Sequence, residues 1–267
     1  MGRGRVNYFE QLERLDAEQG GYFYPWKSTL GANNGEDAYT ALVEAHLCPA
    51  ATVLEAGCGH GDDLMAFAPK AGRFIGYDAV APFVATCRRR VDEAGLAHVE
   101  LFTHNSSARF NYGKVRIPAD DASVDLIISR RGPSNWIADA RRVCRPGAWL
   151  IQLNPLPSPM PAWNDELPDG LRRVENPANP GHPNLPDEIQ AQLRAAGVAP
   201  HSAWTFDVPE VFTAPDELYR ALTFMRFEPA VLTLDEARPH LERLFARHAV
   251  GGGLDLRQRR YLWTAVV

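Results

Sequence analysis

Three glycines at alternate positions, Gly57, Gly59 and Gly61, follow the β-prone run Thr52-Val53-Leu54-Glu55-Ala56. An acid, Asp78, ends the next such run, Phe74-Ile75-Gly76-Tyr77. Glycines at this spacing let a chain turn sharply at a strand end and let a ligand lie against bare backbone. Leu64 to Phe67 reads as the start of a helix, which adds free amide donors beside the turn. A carboxylate ending the neighbouring strand can accept both hydroxyls of a ribose. Glycine loop and acid together suit an adenosine-containing ligand at the carboxyl edge of a sheet.

The kind of nucleotide follows from the details. The dinucleotide fingerprint is G-x-G-x-x-G, with its third glycine one place later than here. Glu55, just before the loop, would repel a pyrophosphate. It suits a ligand with a cationic amino-acid end, such as S-adenosylmethionine.

Positioning these groups requires a sheet. After Asp78, Pro82 opens a helix through Arg90 to Ala94, with Gly95 at its C-terminal cap. Val99–Phe102, Val124–Ser129 and Trp149–Leu153 read as further strands, with a helix over Asn135–Val143. Strands alternating with helices imply parallel βαβ units and a largely buried α/β sheet. Upstream, a helix reads over Tyr8–Glu18. A second carries Tyr39, Leu42, Val43 and Leu47 on one face and ends at Pro49. Downstream come a helix over Ile189–Ala196, a strand over His201–Val208, and helices over Pro215–Thr223 and Leu234–His248. The last helix has a capping box, Thr233 with Glu236. Gly251-Gly252-Gly253 turns the chain into a final strand, Arg260–Val267. This strand follows its neighbour without a simple crossover, which favours an antiparallel placement.

The loop, Asp78, the strand Val124-Asp125-Leu126-Ile127-Ile128-Ser129 and the turn Arg142-Val143-Cys144-Arg145-Pro146-Gly147 together resemble the class I S-adenosylmethionine-dependent methyltransferases. The resemblance covers roughly Ala38 to Leu153 and the closing strand. It implies a Rossmann-like, seven-stranded, mostly parallel sheet with helices on both faces and the last strand antiparallel. It implies S-adenosyl-L-methionine as cofactor. Glu55, Gly57 and Gly59 would lie near the methionine part, Asp78 near the ribose, and Asn105, with Ser106 beside it, near the adenine amino group; Cys58, Gly61, Ala79 and Ser129, at the end of the fourth core strand, complete the expected cofactor site. Three positions depart from the family pattern: Asn105 where an acid is common, Val80 where Ser is common, and Ala148 in place of the second glycine of the R-P-G-G turn.

Other residues carry two readings each. Arg130 and Arg131 end a strand where the family faces its acceptor. They bind an anionic substrate or the cofactor carboxylate, or they pair with Asp120 or Asp121. Tyr22-Phe23-Tyr24-Pro25-Trp26, with Tyr24 and Trp26 as substrate contacts, forms a lid over the cofactor, or packs as an ordinary extension. Trp163, in the proline-rich stretch 154–186, covers an acceptor, or belongs to a connector. His60 and His104 flank the crevice as bases or as hydrogen-bonding partners. Cys58 reads as a small residue fitting the loop and not as a nucleophile. No single catalytic residue stands out.

The expected organisation is an N-terminal extension and lid over 1–37, then a methyltransferase domain over 38–267 with a helical insertion at 213–250. The chain of 267 residues is 45% hydrophobic and 23% charged, an ordinary globular balance. A net charge of −5 argues against a nucleic-acid partner, although Arg88-Arg89-Arg90 is locally basic. Four cysteines (Cys48, Cys58, Cys87 and Cys144) without C-x-x-C spacing point to reduced thiols in a cytoplasm and to no metal site. Met1-Gly2-Arg3-Gly4-Arg5 leads into a polar helix, and no apolar run approaches the ~20 residues of a membrane span. Methyl transfer to a small molecule is the expected function. An RNA-modifying methyltransferase and a non-catalytic S-adenosylmethionine-binding partner subunit are the alternatives.

Overall fold

A computed structural model describes residues 8–173, 184–226 and 231–267. Parts of the proline-rich stretch and of the helical insertion, and Met1–Arg5, lie outside the described residues.

The expected seven strands are present: β2 (Thr52–Ala56), β3 (Arg73–Asp78), β4 (Val99–Thr103), β5 (Val124–Arg130), β6 (Cys144–Leu156), β7 (Ala199–Phe212) and β8 (Leu254–Val266). An eighth, β1 (Thr29–Leu30), comes from the N-terminal segment and pairs antiparallel with β7. The sheet order is β1-β7-β8-β6-β5-β2-β3-β4. β8 is wedged antiparallel between β6 and β7, so β8 and β1 run against the other six. The order reverses beside β2, which places the glycine loop at a topological switch point of the sheet.

Helices cover both faces: α1 (Tyr8–Gln19), α2 (Glu36–Glu44), α3 (Asp62–Phe67), α4 (Ala81–Glu93), α5 (Ile137–Val143) and α6 (Leu185–Ala196). Alternate residues of a strand point to opposite faces. Leu54, Ile127, Leu150 and Trp263 therefore pack against α5 and α6, while Val53, Phe74, Leu126 and Ile151 pack against α2, α3 and α4. α7 (Pro215–Thr223) and α8 (Leu234–His248) have the bounds expected from sequence. The capping box forms: Thr233 N donates to Glu236 Oε2 at 2.9 Å. Together they build a cover around Leu218, Leu222, Leu241 and Leu244. None of the described helices is long and apolar enough to cross a membrane.

Two expectations shift. β7 and β8 run beyond the sheet proper, pairing Val211 with Asp255 and Phe212 with Leu254. Charged residues such as Glu210, Asp255 and Arg257 break the apolar run there, so the extension is invisible to hydropathy. It carries Phe212, Leu254 and Leu256 into the cover's core. The Arg145-Pro146-Gly147 turn lies inside β6 as an irregularity, because Val124 pairs with Cys144 and Leu126 next with Trp149.

Candidate cofactor-binding site

The glycine loop is stitched to the end of β3. Gly57 N and Cys58 N donate to Tyr77 O at 2.9 and 3.0 Å, and Gly59 N donates to Asp78 Oδ2 at 3.0 Å. Asp78 Oδ1 accepts from Val80 N at 2.8 Å. Burial pushes the Asp78 pKa up, against the backbone N–H groups of Val80, Gly59 and Ala79, which favour its charged form. Two glycines are needed for different reasons. A Cβ on Gly61 would stand 2.5 Å from Cys87 Sγ, so Gly61 permits α3 to approach α4. Gly59 has φ 52 and a Cβ there would meet nothing within 4 Å, so its bare backbone faces open space. That open cradle beside a carboxylate fits the ribose and methionine parts of an adenosyl ligand.

Beneath the loop lies a buried carboxyl group. Glu55 is 3% exposed, and its Oε2 has no hydrogen-bond partner among the described residues. Burial, then the neighbouring Asp63, hold its pKa well above the usual carboxylate range. An orphaned acid at this place is matched by the cationic amino group of an amino-acid ligand.

The arginines after β5 form a network. Arg130 pairs with Glu36 Oε2 at 3.0 Å and with Asp63 Oδ1 at 2.6 Å, and Arg131 pairs with Glu36 Oε1 at 2.7 Å. Arg260 also reaches Glu36, at 3.3 Å, and Tyr39 donates to Asp63 at 3.0 Å. The expected partners, Asp120 and Asp121, are therefore corrected to Glu36 and Asp63; Asp121 pairs with Arg142. Burial opposes ionisation at Glu36, but Arg131, Arg130 and Arg260 outweigh it and lower its pKa. Arg131 has φ 65, an uncommon left-handed conformation for a side-chain-bearing residue, and it turns the chain sharply at the strand end.

The aromatic N-terminal segment lies against the loop. Tyr22 N donates to His60 Nδ1 at 3.3 Å, and the Phe23 ring sits 4.4 Å from the His60 ring. Tyr22 and Leu12 of α1 pack with Val80 and Phe83, and Met225 of the cover joins them. Tyr24 stacks on Trp26 at 4.7 Å, and Arg131 lies 5.2 Å over the Tyr24 ring.

The structure thus gathers Glu55, Gly57, Cys58, Gly59, Gly61, Asp78 and Ala79 around one loop, with Arg130, Arg131 and Tyr24 at its margin. Ser129 is fully buried behind it, donating to Ala56 O at 2.7 Å. Asn105 Oδ1 accepts from Ser107 N at 3.0 Å, and the Ser106 hydroxyl meets Asn135 Nδ2 at 3.2 Å. Trp163 is set apart. It is buried in the cover with Leu167, Leu171 and Leu218, and Trp26 packs against the same cluster. His60 Nε2 lies 3.0 Å from Asp62 Oδ2, and His104 Nε2 lies 2.7 Å from Arg116 O, so both rings are engaged locally. A hydrogen bond with Cys87, then burial, hold the Cys58 thiol well above the ordinary range, so it supplies no ready thiolate.

Sequence reading missed Glu36, Tyr39, Asp63 and Arg260. The acidic pairs Glu36-Asp37 and Asp62-Asp63 were the available signal, each opening a helix beside the site.

A test of the buried acid follows from its raised pKa. A group that binds its proton more tightly when folded stabilises the fold fully below its unfolded pKa, here 4.5. That contribution is lost as pH rises towards the folded value, by about 1.4 kcal/mol per pH unit. Glu55→Gln removes the dependence. Its melting temperature should match the parent's near pH 4 and exceed it increasingly as the pH rises above 5. Parallel melting curves across that range would contradict a protonated Glu55.

Residues 53–147 match the family model described as a methyltransferase domain. An uncharacterised 37.1 kDa protein in transposon TN4556 of Streptomyces fradiae is 30% identical over 159 residues, covering 56% of this chain and 39% of the relative. A probable S-adenosylmethionine-dependent methyltransferase of Mycolicibacterium smegmatis is 30% identical over 117 residues, covering 42% of this chain and 40% of that protein. The chain therefore spans about two fifths of the length of these curated relatives. A functionally unknown protein from Deinococcus radiodurans R1 has a similar solved structure: TM-score 0.65, 25% identity, 96% of this chain and 99% of that one. Residues 53–147, which hold the glycine loop, Asp78 and the strands beside them, are thus similar to a methyltransferase domain.

Proposed function

We propose that this chain transfers the methyl group of S-adenosyl-L-methionine to a small-molecule acceptor. The observation that carries the reading is the 3.0 Å hydrogen bond from Gly59 N to Asp78 Oδ2, which puts bare loop backbone and a carboxylate side by side. Asp78 would accept the ribose hydroxyls, Glu55 the amino group, and Asn105 and Ser106 the adenine edge. When bound, the cofactor supplies an already electrophilic sulfonium methyl. The chain's own work is then alignment and exclusion of water. Gly57, Cys58, Gly61 and Ala79 shape the cradle, Ser129 braces it from behind, and Tyr22–Trp26 close it from above.

A small acceptor is favoured over RNA because four arginines of the two basic runs, Arg88, Arg90, Arg130 and Arg131, are spent internally. Arg88 donates to Leu101 O, Arg90 pairs with Asp62, and Arg130 and Arg131 pair with Glu36. A non-catalytic partner subunit is disfavoured by the meeting of lid and cover, where Tyr24, Trp26 and Phe224 stand within 5.5 Å of one another.

Incubation of the protein and a cell extract with methyl-tritiated cofactor tests this. Label should appear in the small-molecule fraction and not in RNA or protein. Label in RNA, or none above a heat-killed control, would contradict the reading.

A further inference from the structure

The loop after β4 carries positive charge that its surroundings do not balance. From Leu101 to Ala119 there is no Asp or Glu, while Arg109, Lys114 and Arg116 fall within eight positions, in a chain of net charge −5. All three are exposed, and none has an acidic partner among the described residues. By contrast Arg73 of β3, Arg90 of α4, Arg142 of α5 and Arg145 of β6 each pair with an acid.

The loop is held in shape by its own hydrogen bonds. Asn111 Nδ2 donates to Asn105 O at 2.7 Å and to Ser107 O at 2.8 Å. Gly113 N donates to Ala108 O at 2.9 Å, Lys114 N to Asn111 O at 3.0 Å and Arg116 N to Ser106 O at 2.9 Å. These bonds fix a turn in which Tyr112 has φ 52 and Gly113 φ 83. Left-handed backbone at a ring-bearing residue is unfavourable, and burial does not offset it here, because the Tyr112 ring is fully exposed. Phe110 is exposed as well, with Arg109 lying 5.8 Å over its ring. Asn111, Tyr112, Lys114 and Arg116 line one cavity of about 440 Å³, within the size range of small-molecule sites. One space thus joins two uncompensated cations to a ring with both faces free.

We propose that this cavity binds a nucleoside monophosphate, its phosphate received by Lys114 and Arg116 and its base stacked on Tyr112. Two cations without carboxylate partners suit a dianionic phosphate, and an exposed aromatic face suits a flat base. A free mononucleotide is favoured over a nucleic-acid strand, because the negative charge of the whole chain repels a polyanion that extends past the loop. None of the lining residues belongs to the expected cofactor site, so occupancy of the cavity is independent of methyl transfer.

Calorimetry tests it with defined probes. Protein with excess S-adenosylhomocysteine, added to fill the expected adenosyl site, is titrated with uridine monophosphate, uridine and inorganic phosphate. The monophosphate should bind about tenfold or more tightly than either part alone. Lys114→Gln combined with Arg116→Gln should abolish its advantage over uridine. Tyr112→Asn, which places there a residue tolerant of left-handed backbone, should abolish its advantage over phosphate. The three side chains are exposed, so the variants should melt with the parent. A monophosphate that binds the unmutated protein no better than uridine or phosphate overturns the proposal whatever the variants do. So does an advantage that survives these substitutions. A uridine hexanucleotide that binds more than about tenfold tighter than the monophosphate would overturn the mononucleotide assignment in favour of a strand. If S-adenosylhomocysteine itself does not bind, the methyl-transfer reading fails, while the same titrations still decide this cavity.

Discussion

Replacing Asp78 by Ala is expected to weaken S-adenosylhomocysteine binding by roughly 100-fold. Hydrogen bonds to a charged acceptor contribute ~1.5–3 kcal/mol each, and the ribose would offer two donors. The loop also loses an anchor, because Asp78 accepts from both Gly59 N and Val80 N. The two losses differ in their response to Asn. Asp78→Asn keeps one side-chain oxygen, so it should retain the Gly59 or the Val80 contact and lose roughly tenfold in affinity. Calorimetry on both variants checks the order. Equal affinity in parent and Ala variant would remove Asp78 from the ribose role.

Arg130→Ala should be the most damaging single change to stability around the site. Its guanidinium is the cation paired with Asp63, whose side chain is 7% exposed, and it also pairs with Glu36. Removing one partner of a buried pair typically costs 3–5 kcal/mol, because the other charge is left unpaired in low dielectric. Arg130 is itself 28% exposed, which places the expected loss at the lower end, about 3 kcal/mol, or roughly 6–12 °C in melting temperature. Adding Asp63→Asn should restore most of the loss, since the orphaned charge is then gone. If the double variant melts no higher than Arg130→Ala, the network is not what Arg130 supports.

The parts of the molecule that were legible in the sequence are those whose signals are local. The glycine loop, Asp78, the capping box at Thr233 and the bounds of α7 and α8 each depend on residues within a few positions of one another. The partners of Arg130 were not legible. Glu36 lies 94 residues away, and Asp120 and Asp121 were nearer in sequence but belong to a different turn. The ends of β7 and β8 were hidden because one face of that ribbon is charged. Trp163 shows another limit. Its place in a proline-rich stretch suggested a free cover, yet the ring is part of the apolar core that holds the cover together.

The central claim is that loop backbone and Asp78 form one berth for an adenosyl sulfonium. Isothermal titration of the purified protein with S-adenosylmethionine, S-adenosylhomocysteine and NAD addresses it most directly. The account predicts one site per chain for each of the two adenosyl ligands and no heat of binding with NAD. Tight binding of NAD with none of the adenosyl pair would contradict it.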